Sequence, residues 1–176
     1  MRTTKMALTM KNLRSLAFFS ILTLGLLSSC FEDREVLFLG AQVEFEQAVT
    51  NAKAAGQSFP LLTALTRASG TPSYQVNLVG AQLSAAEAIT VTRDEVPASL
   101  LNANTIVAEE GVHYTLNGNL DFPASASKVN FTGLTILPGF PAQTGKTALI
   151  ILKLDGNSNL KPSENYRRLG IRINLN

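Results

Sequence analysis

Hydrophobic and polar residues alternate with a period of two along much of this chain, most cleanly at residues 168–175. There Leu169, Ile171, Ile173 and Leu175 fall on one side and Arg168, Gly170, Arg172 and Asn174 on the other. A half-buried strand imposes that period, because successive side chains leave its two faces in turn. The same pattern predicts strands through Ala41, Val43 and Phe45, through Tyr74, Val76 and Leu78, and through Val129, Phe131, Leu134 and Ile136, the last ended by Pro138-Gly139. Residues 88–91, 105–108 and 112–116 add short strand-like runs, and an apolar stretch at 36–39 precedes them all. Residues 148–154 are almost continuously aliphatic, as a central strand buried on both faces would be.

The punctuation between these runs is turn chemistry. Asn117-Gly118 is a strong hairpin signal and is expected to lead from 112–116 into Leu120 and Phe122. Phe45, Ala48, Val49 and Ala52 also fit a helical face, so a strand running into a helical turn, closed by Gly56, is expected there. Residues 51–71 read as a long connection holding one edge strand near 61–66. About seven short strands with frequent turns and little helix predict an all-β fold, a single antiparallel β-sandwich.

The amino-terminal pattern is different in kind. Lys11 and Arg14 precede an apolar run from Leu16 to Leu27, too short to span a bilayer comfortably and followed by small residues. That is the layout of a secretory signal peptide, and Leu27-Ser28-Ser29-Cys30 resembles the lipobox of bacterial lipoproteins. The resemblance implies that Cys30 carries a covalent lipid and becomes the mature amino terminus. The expected organisation is a signal peptide at 1–29, a lipidated Cys and charged tether at 30–35, and a sandwich domain at 36–176. Cutting before Cys30 removes four of the 15 basic residues and none of the 13 acidic ones, leaving 11 against 13. The basic balance of the whole chain therefore belongs mainly to the export signal and gives no support for nucleic-acid binding. Cys30 is also the sole cysteine, so no thiol is left for a disulfide, a metal site or a nucleophile.

Several motifs look chemical and lack a required part. Residues 139–147 resemble a phosphate-binding loop, but five residues separate Gly139 from Gly145 where four are needed, Pro141 removes a donor, and a strand-like run follows. No nucleotide is expected, and the segment reads as a hairpin loop. Asp155-Gly156-Asn157-Ser158-Asn159 begins like a calcium loop but has Leu160 and Tyr166 where Gly and Glu are required. His113 is the single histidine, without an adjacent nucleophile motif, and reads as a surface-facing or hydrogen-bonded strand residue. Glu109, Glu110, Asp121 and Asp155 could in principle pair as hydrolytic carboxylates. Tyr74, Tyr114 and Tyr166, in a chain without tryptophan, read as half-buried strand residues with rim hydroxyls.

One stretch resembles a known family. Residues 107–116, Val-Ala-Glu-Glu-Gly-Val-His-Tyr-Thr-Leu, followed by Leu120-Asp121-Phe122-Pro123, resemble the "A-x-x-G-x-x-Y … F-P-A-G" segment of Calx-β-type domains. Residues 152–157 and 161–166 resemble the closing hairpin of Bacteroidetes lipoproteins of the uncharacterised, domain-of-unknown-function type. The resemblance covers roughly 74–176 and implies an immunoglobulin-like, Calx-β-like sandwich on a lipid anchor. Two departures stand out: Ser125 replaces the glycine expected after Phe122-Pro123-Ala124, and the dense acidic residues that bind calcium in Calx-β domains are missing.

The expectation is thus a non-enzymatic, lipid-anchored outer-membrane lipoprotein, with no catalytic residue, no metal and no cofactor beyond the lipid on Cys30. The acidic pair Glu32-Asp33 after Cys30 resembles a surface-export signal and favours the cell surface over the periplasmic leaflet. Its partners would be the membrane and a surface protein or glycan. Residues 102–110 and 140–146 are the candidate ligand loops, because long connections on rigid scaffolds carry function. The alternative is a structural or adhesive subunit whose closing strand, 168–175, pairs with another protein by β-addition.

Overall fold

The computed structural model describes residues 40–176. The predicted stretch at 36–39, the signal peptide and Cys30 lie outside them. Two main sheets face each other across one core. The first has the order β10-β1-β2-β7, built from β1 (Ala41–Phe45), β2 (Tyr74–Gly80), β7 (Lys128–Phe131) and β10 (Lys161–Pro162). The second has the order β11-β9-β3-β6, built from β3 (Glu87–Asp94), β6 (Asn119–Phe122), β9 (Thr147–Asp155) and β11 (Arg168–Asn174). A short β4 (Thr105–Val107) pairs in parallel with the start of β9, and β5 (Tyr114–Leu116) pairs with β8 (Leu134–Ile136) as a separate ribbon. The expected all-β sandwich is the observed fold, cut into more and shorter strands than the sequence pattern separates.

The period-two positions fill the space between the sheets. Val43, Phe45, Val76, Phe131, Ile89, Val91, Phe122, Ile150, Leu152, Leu154, Leu169, Ile171 and Ile173 form one buried cluster. β9 also buries its other face, where Leu149 and Ile151 pack with Phe59 and Val96 in a second, smaller cluster. That two-sided burial accounts for its unbroken aliphatic run. The strand ending at Phe45 does turn into a helix, α1 (Glu46–Thr50), which sends Ala48 inward and ends at Asn51, earlier than Gly56.

The closing strand is not a free edge. Residues 60–65 run beside β11 in parallel, bridging Leu61 to Gly170 and Leu65 to Ile173. Leu62 N–H donates to the Gly170 carbonyl at 2.8 Å, and Gly170 N–H donates to the Pro60 carbonyl at 2.9 Å. Leu65 N–H and Asn174 N–H extend the same ladder, to the carbonyls of Arg172 and Leu65. The edge strand expected near 61–66 therefore exists as a strap of isolated bridges. It occupies the edge through which β-addition on 168–175 was expected, and that expectation is corrected. Gly170 makes the close approach possible, because a Cβ there would stand 2.3 Å from Leu61 Cδ2 and 3.1 Å from the Pro60 carbonyl.

Candidate functional site

The opposite edge is built from one long hairpin that comes apart halfway. β5 and β8 pair with Tyr114 opposite Ile136 and Leu116 opposite Leu134, and Asn117 N–H still reaches the Gly133 carbonyl at 2.8 Å. Continued in that register, Asn119 would face Phe131 and Phe122 would face Lys128. Instead β6 pairs with β3 in the second sheet and β7 pairs with β2 in the first. The two arms diverge because each carries apolar residues into the core, Leu120 and Phe122 on one and Phe131 on the other.

Two glycines mark the divergence. Gly118 brings its backbone against β3, where Val91 N–H donates to its carbonyl at 2.8 Å and a Cβ would stand 2.2 Å from the Val91 carbonyl. At Gly133 a Cβ would stand 1.8 Å from the Asn117 carbonyl and 2.7 Å from the Phe131 ring. The hairpin expected at Asn117-Gly118 is thus a correction. Gly118 is not among the positive-φ residues that a type I′ turn needs, and β5 and β6 belong to different sheets. A dipeptide that permits a tight turn also permits a strand to change sheets, and close contact with β3 selects the second use.

Between the arms lies a concave surface of about 510 Å³. Its polar rim includes Thr115, Asn117, Asn119, Asp121, Asn130, Thr132 and Thr135, over an apolar floor of Leu116, Leu120, Val129 and Phe131. Among the described residues Asp121 is the single charged one in the lining. The backbone adds further polar groups. In an antiparallel pair, alternate residues turn both N–H and C=O away from the partner. With Val91 bonded to Gly118 and Leu78 N–H to the Ser127 carbonyl, the outward residues are Asn119 and Asp121 on β6 and Lys128 and Asn130 on β7. The Asn117 side chain accepts from Asn119 N–H at 3.3 Å, so one of these groups is capped.

The two expected ligand loops do lie side by side, since β4 pairs with β9 and Thr147 N–H donates to the Asn104 carbonyl at 2.9 Å. Much of their chemistry is spent on packing. Phe140 is buried, with the Arg67 guanidinium 4.7 Å over its ring and His113 tilted against it at 5.5 Å. His113 is also buried, and its Nδ1 accepts the Glu109 N–H at 3.0 Å. It sits in the turn before β5 rather than in a strand. Residues 140–146 do not form a hairpin loop, because β8 and β9 belong to different sheets; they lead the chain from the β5–β8 ribbon into the second sheet.

The remaining candidates are scattered. Asp155 accepts from Thr92 Oγ1 at 2.5 Å and stands 3.1 Å from Lys153 Nζ on the outer face of the second sheet. Asn157 and Asn159 turn their amide donors to Glu87 and Asn157 Oδ1 accepts from backbone, so the calcium-like loop closes a turn. Among the described residues no three His, Cys, Asp or Glu side chains gather as metal ligands. Tyr74 and Tyr114 are buried rather than half-buried, and burial pushes both phenols above their usual range, at Tyr114 against the opposing influence of Arg93. Tyr166 is partly buried, outside any strand, with Lys53 Nζ 5.9 Å over its ring. Near Asp94, burial opposes ionisation, but the Arg168 hydrogen bond at 2.5 Å, Glu95 N–H and the Arg168 and Lys153 charges hold its carboxyl below the usual range.

Ser125 carries the one informative strain. It lies in the turn joining β6 to β7 and has φ 57°, the single non-glycine residue with positive φ among the described residues. The position where a glycine was expected keeps the left-handed backbone a glycine favours, with Ser125 N–H donating to the Leu83 carbonyl at 2.9 Å.

Comparison with solved structures agrees with this fold. An apo-form Calx CBD1 domain superposes with a TM-score of 0.51 and 12% sequence identity, covering 77% of this chain and 96% of that one. The fold is Calx-β-like. The calcium binding domain CBD12 of CALX1.1 is similar at a TM-score of 0.48 and 11% identity, covering 74% of this chain and 44% of that one. No family model matches the chain, and no curated protein does.

Proposed function

We propose that this chain is a non-enzymatic, lipid-anchored outer-membrane lipoprotein of the Bacteroidetes type, whose sandwich serves as a binding or accessory module at the cell surface. In this reading Cys30 carries the lipid, residues 31–35 space the domain from the bilayer, and the forked hairpin presents its cleft for capture of a surface protein, peptide or glycan. The observation that carries the binding role is the fork itself: a polar concavity with strand edges that no described strand pairs, in a protein whose other long edge is closed. The non-enzymatic reading is supported by the dispersal of the candidate groups. His113 is packed against Phe140, Asp155 is engaged with Thr92 and Lys153, and Asp121 meets no second carboxylate in the cleft among the described residues.

The lipid anchor supplies what the domain lacks. No helix among the described residues is long and apolar enough to cross a membrane. Two or three acyl chains on one cysteine, at about 0.8 kcal/mol per buried CH₂, hold a protein stably on a bilayer. The test is membrane fractionation of Cys30→Ala expressed beside the parent chain. Release of the variant into the soluble fraction is expected; equal retention of both in the membrane would overturn the lipoprotein reading.

A further inference from the structure

We propose that the fork between β6 and β7 binds an extended peptide segment of a partner protein, added as a strand and carrying a basic side chain toward Asp121. The proposal rests on the binding-module reading above and names its ligand. Three observations select a peptide. First, the outward backbone groups of Asp121 on β6 and of Lys128 and Asn130 on β7 are donors and acceptors at strand spacing on two neighbouring sheet edges, which is what an added strand pairs with. Secondly, among the described residues the cleft offers no aromatic face on which a sugar could stack: Phe131, the one aromatic in their lining, is 1% exposed. Thirdly, Asp121 is the only charge in the lining among the described residues, so the complementary ligand is basic at one position and otherwise neutral. The short amide and hydroxyl side chains of the rim leave room for small β-branched residues such as Thr and Val on the incoming strand.

The fork also limits how such a strand binds. Each arm is four residues long, so an added strand gains few backbone bonds, and Asn117 already caps Asn119 N–H. Lys128 stands exposed on the β7 edge, where its charge opposes strand addition in general and a basic strand in particular, so the added segment pairs along β6, the arm that carries Asp121.

The test is a titration of the ¹⁵N-labelled full chain in detergent with three probes: a short blocked peptide of alternating Thr and Val with one Lys, the same peptide with Glu for Lys, and a neutral maltooligosaccharide. The Lys peptide is expected to shift the amide resonances of Asp121, Lys128 and Asn130 and to slow exchange of the Asp121 amide by about tenfold. The Glu peptide is expected to bind more weakly, and Asp121→Lys is expected to reverse the preference. Shifts produced by the oligosaccharide and not by the peptides would overturn the peptide assignment while leaving a binding module with a glycan ligand. Silence of those amides toward all three probes would overturn the assignment of the fork as a site, leaving the membrane anchor to be judged by Cys30→Ala alone.

Discussion

The two long edges of this sandwich start from similar alternating strands and end in opposite states. Beside β11, residues 60–65 form a ladder of main-chain hydrogen bonds and close the edge. Beside β6 and β7, a hairpin that could have closed itself in register opens instead. Local alternation does not decide between these outcomes. A strand is closed or open according to what a distant or neighbouring segment finds more favourable to pack against. At β11 the strap brings Phe59 onto Leu149 and Ile151, so pairing and apolar burial act together. At the fork, pairing and burial compete, and burial of Leu120, Phe122 and Phe131 in two different sheets wins.

The comparison breaks most forcefully at Phe59. If the strap is held by its apolar anchor, Phe59→Ala should destabilise the chain by about 3–5 kcal/mol, the range for a buried Phe truncation. Denaturant unfolding measures that loss, and the freed β11 edge should make the variant associate as its concentration rises. A cost typical of a surface position would show that the strap is accessory and that the two edges are less different than they look.

A finer contrast comes from two glycines, one on each edge. In Gly133→Ala the new Cβ meets the Asn117 carbonyl, a backbone atom fixed by the bond at the base of the fork. In Gly170→Ala it meets first the Leu61 Cδ2 methyl, which can rotate away, and then the Pro60 carbonyl at 3.1 Å. Overpacking of this kind costs about 1–3 kcal/mol, and Gly133→Ala should lie at the upper end with Gly170→Ala at the lower. Paired unfolding midpoints give the order. The reverse order would mean that the strap is the more rigid of the two edges.

Much of this was legible beforehand because burial writes itself into alternation. The double-sided burial of β9, the helical turn after Phe45 and the extended segment near 61–66 all follow from side-chain period and run length. Partner choice is a different matter. Asn117-Gly118 is chemically suited to a tight hairpin, and only the proximity of Val91 on β3 turns it into a crossing between sheets. Likewise, Gly170 looks like one more outward residue of a clean strand until Pro60 and Leu61 are placed against it. The fork escaped the sequence reading for the same reason. Its lining of Asn and Thr is ordinary strand and turn composition, and what makes it a site is the divergence of two arms. The Calx-β resemblance at 107–123 could have pointed there, since it spans the stretch from β4 to the end of β6.

The smallest expected effect tests the far end of the fork. Ser125 holds a left-handed conformation that costs an L-residue about 1–2 kcal/mol. Replacing it by glycine removes that strain and adds about 0.4–1 kcal/mol of unfolded-chain entropy to overcome. Ser125→Gly should therefore raise stability by about 0.5–1 kcal/mol, read as a higher denaturant midpoint at unchanged slope. The gain should come without loss of the Ser125 N–H bond to Leu83, because glycine keeps the donor. If stability falls instead, the serine side chain must help to hold the arms apart, and the open edge would be maintained by its closing turn as well as by the core beneath it.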